Sequence, residues 1–159
     1  MREYSTTILI AAVIALLATP IVRKFASKSG AVMKIRARDI HELPTPRWGG
    51  LALWVSVAIT LLIARNLPLV EKSFSRETLG IFVSATFILV LGMIDDRFDL
   101  DPLTKFAGQA LAAAILVLFG VQLLWLPING ILTLPPTIGQ ILTILFVMVV
   151  INAVNFVDG

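Results

Sequence analysis

The seven residues Asp95-Asp96-Arg97-Phe98-Asp99-Leu100-Asp101 hold four carboxylates, the densest concentration of potential chemistry in the chain. Carboxylates this close repel one another unless a divalent cation or a basic partner sits among them. Oxygen-only ligation suits Mg²⁺ or Mn²⁺, and Mg²⁺ is usually held by one or two carboxylates together with substrate phosphates. If a helix ran through the cluster, Asp95 and Asp99 would share a face and Asp96 would lie about 100° away. The plainer alternative is a solvated loop whose acids cap the helix that follows. It suits Asp99 and Asp101 better than Asp95 and Asp96, which directly follow the apolar run Leu91-Gly92-Met93-Ile94. Charge beside hydrocarbon is costly, and its presence there points by default to function. An EF-hand is excluded, because its loop glycine and terminal glutamate are missing.

Two further polar islands interrupt the apolar chain. Asn152, Asn155 and Asp158 lie three apart, so on a helix they drift across a stripe about 120° wide. Carboxamides both donate and accept, and a carboxylate can take a hydroxyl or a uracil N–H. The competing role for Asn152 is an interhelical hydrogen bond, worth about 1 kcal/mol or less in a membrane. The other island, His41 through Gly50, contains Pro44-Thr45-Pro46-Arg47-Trp48-Gly49-Gly50. Its prolines stiffen the approach, Arg47 presents a planar cation suited to phosphate, and the glycines admit close approach of backbone or ligand. The single histidine, His41, reads as a solvated or hydrogen-bonded loop residue rather than a base or ligand.

The elements that must position these groups are set by composition. Of the 159 residues, 58% are hydrophobic and 14% charged, and the mean hydropathy is +0.94. A soluble domain averages about 45–50% apolar and about 25% charged, so this is the composition of a membrane protein. With no cysteine, a disulfide framework and a thiolate metal site or nucleophile are excluded. The net charge of +3 is explained by loop anchoring rather than nucleic acid, for which no basic-aromatic surface is present. Uncharged segments at 4–22, 48–64, 78–94, 106–126 and 138–157 predict an all-α, polytopic fold of about five transmembrane helices, forming a single transmembrane domain over 1–159. The first run ends at Pro20 and Arg23 without a cleavage site, so it reads as a span rather than a signal peptide. Asp101-Pro102 and Pro135-Pro136-Thr137 read as helix starts.

Orientation follows from the cations. Arg23, Lys24, Lys28, Lys34, Arg36, Arg38, Arg47, Arg97 and Lys105 fall on one side of alternating spans, against Arg2, Arg65, Lys72 and Arg76 on the other. The positive-inside rule therefore puts the N-terminus outside, and the Arg47, Asp95 and Asp158 regions inside with the C-terminus. All three islands then meet the cytoplasmic face of the cell membrane. Carboxylates for a metal, cations for phosphate and amides for a polar head group point to phosphoryl transfer between a soluble and a lipid-borne partner.

The motifs Pro-Thr-Pro-Arg-Trp-Gly-Gly, Asp-Asp-Arg-Phe-Asp-Leu-Asp-Pro-Leu-Thr-Lys-Phe-Ala-Gly-Gln and Asn-Ala-Val-Asn-Phe-Val-Asp-Gly, in that order, resemble the polyprenyl-phosphate N-acetylhexosamine-1-phosphate transferases of glycosyltransferase family 4. The likeness covers residues 31–159. It implies attack of a polyprenyl phosphate on the sugar-bearing phosphate of a UDP-N-acetylhexosamine, releasing UMP with Mg²⁺ present. By motif position Asp95 and Asp96 match the family's paired aspartates, with catalytic and metal roles, and Asp158, Asn152 and Asn155 match its nucleotide-binding and catalytic segment. Lys105 and Gln109 match the basic and amide positions after the acidic pair, and Arg47 lies where the first cytoplasmic loop reaches the site. As base, Asp95 would gain little, since a phosphate monoester with a second pKa of about 6 is already mostly dianionic at neutral pH. Base and metal ligand both remain open for it. The first-loop sequence is closer to the UDP-GlcNAc branch than to the phospho-N-acetylmuramoyl-pentapeptide branch. Expected partners are the UDP-sugar, polyprenyl phosphate and membrane lipid; a homodimer is left open. Family members are longer, so the chain is expected to be the N-terminal half of the family domain and inactive by itself.

Two rival readings use the same residues. Asp95-Asp96-Arg97-Phe98-Asp99 also fits the DDxxD pattern of membrane prenyltransferases, but a second aspartate-rich helix would be expected, and residues 152–158 make a poor one. A cation transporter would carry its acids inside the spans. These sit at one mouth, with none between Phe106 and Val157.

Overall fold

A computed structural model describes residues 2–30, 48–67, 74–128 and 130–158. Among them the architecture is all-α apart from one short hairpin, as the apolar segments predict. Helix α1 spans Arg2–Lys28, α2 Gly49–Ala64, α3 Arg76–Phe98, α4 Pro102–Leu118 and α5 Pro136–Asp158. Between α4 and α5, β1 (Trp125–Leu126) pairs antiparallel with β2 (Leu132–Thr133), Trp125 opposite Thr133 and Leu126 opposite Leu132. By length and composition α1, α3 and α5 can each cross a membrane, whereas α2 and α4 are shorter apolar helices.

The helix bounds correct the expected spans at several ends. Helix α1 continues through Pro20 to Lys28, because an uncharged run marks where hydrocarbon ends, not where hydrogen bonding ends. Helix α4 stops at Leu118 instead of reaching Leu126. Gly120 turns the chain at φ +95, a conformation that suits a residue without Cβ. The apolar residues after it form the hairpin. Expected starts hold at α4, where Asp101 is N-cap and Pro102 opens the helix, and at α5, which opens at Pro136.

The chain forms two compact units. One comprises residues 1–74 and 89–99, the other residues 75–88 and 100–159. In the first, α1 and α2 pack through small side chains: Ala26 and Ala52 are buried, with Val22 and Trp48 beside them. Buried positions on α2 recur every fourth residue, at Ala52, Ser56, Thr60 and Ala64, one face of a helix. Small residues let helix backbones approach where lipid removes the hydrophobic drive for association. Ser56 Oγ uses that proximity to donate to the Ala11 carbonyl at 2.6 Å.

The second unit uses the same device. Ala112 and Ala113 of α4 are fully buried, and Ser84 Oγ of α3 donates to the Ala112 carbonyl at 2.8 Å. Thr143 Oγ1 on α5 accepts from the Leu123 N–H at 2.8 Å and donates to the Gly139 carbonyl at 2.6 Å, docking the approach to the hairpin. Arg76 at the start of α3 donates to the Leu118 carbonyl at 3.0 Å, satisfying an orphan acceptor at the end of α4. Large apolar side chains instead face outward, among them Leu16, Ile21, Leu53, Leu111, Phe146 and Val149. Exposed apolar surface on this scale is the surface of a lipid-facing protein.

Candidate functional site

Asp95 and Asp96 lie in the last turn of α3, half-buried. Negative charge at a helix C-terminus opposes the macrodipole, by about 0.3–1 kcal/mol per charge at an exposed site. Arg97 beside them has the favourable sign. It caps another element, donating from Nη1 to the Ser29 carbonyl at 3.1 Å just past α1, and its guanidinium carbon lies 5.8 Å from the centre of the Phe98 ring.

Asp99 and Asp101 part company with that pair. Helix α3 ends at Phe98, and Asp99 adopts the left-handed conformation at φ 53, closing the last turn with an N–H to the Asp95 carbonyl at 2.8 Å. Asparate is one of the few side chains that tolerate this helix-ending geometry. The shared helical face for Asp95 and Asp99 therefore does not form. Asp101 caps α4, accepting from the backbone N–H groups of Leu103 and Thr104 at 3.0 Å each and from the Thr104 hydroxyl. The Thr104 hydroxyl, followed by the Thr104 N–H, holds the Asp101 carboxyl below its usual range. Both acids thus have structural work in the turn between helices.

On α4 and α5 the polar residues gather at one end of an antiparallel pair. Gln109 is 2% exposed, and its Oε1 accepts from Asn152 Nδ2 at 2.6 Å. The same Asn152 nitrogen donates to the Met148 carbonyl one turn back, at 2.8 Å. Asn152 therefore has the interhelical bond that its residue type allows, with its amide oxygen left for other donors. Lys105 lies one turn before Gln109 on α4 and is half-buried, while Asn155 is exposed on α5 beyond Asn152. Asp158 is the last residue of α5; its side chain lies outside the description. Arg47 and His41 also lie outside the described residues.

Gly49 and Gly50 open α2. A Cβ at Gly49 would meet nothing within 4 Å, and one at Gly50 would touch Leu89 Cδ1 at an ordinary 3.6 Å, so packing among the described residues demands neither glycine. Sequence reasoning missed the surroundings of Trp48. This indole is 8% exposed, packs at 5.8 Å from the Phe25 ring, and lines a cavity between α1 and α2. Its position just before the paired glycines was the available signal.

A family model described as glycosyl transferase family 4 matches residues 78–159, just over half of the chain and including both Asp95-Asp96 and the Asn152–Asp158 segment. The chain belongs to glycosyl transferase family 4. It is 43% identical to the decaprenyl-phosphate N-acetylglucosaminephosphotransferase of Mycolicibacterium smegmatis, over all of this chain and 41% of that protein. Identity to the protein of the same name in Mycobacterium tuberculosis is 41%, with the same coverage. The undecaprenyl-phosphate alpha-N-acetylglucosaminyl 1-phosphate transferase of Escherichia coli is 28% identical, over 86% of this chain and 36% of that protein. The chain thus spans about two fifths of the length of these curated relatives. No solved structure matches it.

Proposed function

We propose that this chain contributes to transfer of N-acetylglucosamine 1-phosphate from UDP-N-acetylglucosamine to a polyprenyl phosphate at the cytoplasmic face of the cell membrane. One observation carries the reading: two adjacent carboxylates close a helix long and apolar enough to cross a membrane, in a chain whose relatives are named for this transfer to lipid phosphates. In the reaction an oxygen of the lipid phosphate forms a bond to the sugar-bearing phosphorus. The bond from that phosphorus to the bridging oxygen breaks, and the bridging oxygen leaves with UMP.

The donor set at Asp95 and Asp96 fits a hard divalent cation. It is all oxygen, lies at the membrane mouth, and sits where the helix dipole adds further negative potential. Among the described residues no group of three or more His, Cys, Asp or Glu converges, so the remaining ligands would come from phosphate, water and, by motif position, Asp158. Bound Mg²⁺ would neutralise charge on the two phosphates and hold them in line. Lys105 supplies a cation for phosphate from the first turn of α4, only a few residues along the chain from Asp96. Asn152 keeps an acceptor, its Oδ1, for a sugar or nucleotide N–H, and Asn155 presents a free-facing carboxamide one turn on. Arg47 would approach from the first cytoplasmic loop.

Membranes from cells expressing this chain within a protein of its relatives' full length, given radiolabelled UDP-N-acetylglucosamine, polyprenyl phosphate and Mg²⁺, should form an organic-soluble labelled lipid and release UMP. Label appearing in lipid without UMP, or prenyl transfer instead, would refute the assignment.

A further inference from the structure

Between Phe106 and Val157 the chain holds no Asp, Glu, Lys, Arg or His, so the whole connection from α4 to α5 is uncharged. Its depth follows from helical rise. From Asp158 back to Thr143, α5 climbs about 22 Å at about 1.5 Å per residue, against about 30 Å of hydrocarbon. Thr143 Oγ1 holds the Leu123 N–H at 2.8 Å. With Asp158 at one boundary, Leu123 therefore lies inside the bilayer although α4 has already ended at Leu118, and tilt only lowers it. Non-helical backbone survives at such depth only where the protein satisfies its polar groups. Besides the Leu123 N–H, that of Gly120 goes to the Val117 carbonyl at 2.9 Å, that of Val121 to the Leu116 carbonyl at 3.0 Å and that of Leu134 to the Leu124 carbonyl at 2.9 Å. The Leu123 carbonyl oxygen lies only 2.3 Å from where a Cβ at Gly139 would fall, so the segment is pressed onto α5.

The side chains of the hairpin turn outward instead. Leu124, Trp125, Ile128, Ile131 and Leu132 are all exposed, Ile131 at 77%, and so are Leu118, Ile138 and Ile141 on the flanking helices. In water this would be a contiguous apolar patch. At the edge of the hydrocarbon lipid covers it, and tryptophan favours that boundary. We propose that the β1–β2 hairpin is seated in the bilayer boundary and binds lipid through Trp125, Ile128, Ile131 and Leu132, at the end of the α4–α5 pair away from Gln109 and Asn152. The surface uses none of Asp95, Asp96, Lys105 or Asn152, so it goes beyond the proposed transfer and can be tested without turnover.

The purified chain, which has no cysteine of its own, takes a nitroxide at Ile131→Cys, and in a second variant at Ile128→Cys, in phosphatidylcholine nanodiscs. Controls carry the label at Leu111→Cys, exposed on α4, and at Asn66→Cys, exposed beyond the end of α2. Electron paramagnetic resonance compares collision with oxygen, which concentrates in hydrocarbon, against collision with a water-soluble nickel chelate. The oxygen-to-nickel ratio at both hairpin positions should stand several-fold above that at Asn66 and approach that at Leu111. Both replaced side chains are exposed, so the label displaces no packing, and circular dichroism checks that helicity is unchanged. A ratio at both positions equal to that at Asn66 would place the hairpin in water and overturn the proposal. Low collision with both reagents would overturn it as well, by assigning the surface to a protein contact such as a second copy of the chain.

Discussion

The hydrogen bond between Asn152 and Gln109 separates two roles for one residue and can be measured. Gln109→Leu keeps most of the volume at a site that is 2% exposed but removes the acceptor that holds Asn152 Nδ2 at 2.6 Å. Asn152 keeps its bond to the Met148 carbonyl, so one of its two amide hydrogens loses its partner rather than both. Polar bonds between membrane helices average about 0.6 kcal/mol and reach about 1.7, and the short bond here, to a buried Gln109, belongs in the upper part of that range. Gln109→Leu and Asn152→Ala should each destabilise by about 1–2 kcal/mol, and the double variant by about 1 kcal/mol less than their sum. The assay is a double-mutant cycle on reversible unfolding in mixed detergent micelles, followed by helicity. Coupling below about 0.3 kcal/mol would refute the claim that this pair joins α4 to α5. If the coupling holds, the proposed substrate role of Asn152 rests on its Oδ1, and Gln109→Leu should then raise KM for the UDP-sugar less than Asn152→Ala does.

Other expectations follow from the same geometry. Asp95→Asn and Asp96→Asn should each lower transfer on the order of 100-fold or more, the usual scale for removing one electrostatic contact to a reacting phosphate or oxyanion, with expression intact; near-normal turnover in both would exclude a catalytic pair. Asp101→Ala should leave turnover nearly unchanged while loosening the start of α4, read as faster amide exchange at Leu103 and Thr104. Because the folded carboxyl of Asp101 lies below its ordinary value, its contribution is present above the unfolded pKa and is lost as pH falls through the folded one; Asp101→Asn should flatten that acid limb of the stability profile. Cysteine labelling tests orientation in this cysteine-free chain: a cysteine at Ser29 should react only after permeabilisation, one at Asn66 without it. Gly139→Ala would put a Cβ 2.3 Å from the Leu123 carbonyl oxygen and should cost about 1–3 kcal/mol, as overpacking against backbone does, visible as a lowered unfolding midpoint.

What could be read from residues alone divides along physical lines. Helix existence was legible, because uncharged runs of spanning length have few alternatives in a bilayer. Helix starts at Pro102 and Pro136 were legible too, since a cap and a proline act locally. The end of α4 was not. Residues 119–126 are as apolar as the helix before them, and the chain leaves the helix through Gly120 at φ +95, with contacts made far along the chain beside it: Phe119 packs where a Cβ at Gly80 would fall 2.2 Å away, and Thr143 takes the Leu123 N–H. Hydropathy carries no information about either.

The acidic cluster shows the same division inside one motif. Four aspartates look alike in sequence, yet Asp99 and Asp101 are bound to the turn, one by its left-handed backbone and the other by its cap. Both jobs are ones that aspartate does well in any protein. Asp95 and Asp96 instead stand in the last turn of a helix, where the dipole disfavours negative charge. Residues kept against local preference are where function is expected to lie. That contrast, rather than the density of charge, is what favours the first pair as the proposed ligands for metal and phosphate, with Asp99 and Asp101 committed to the turn.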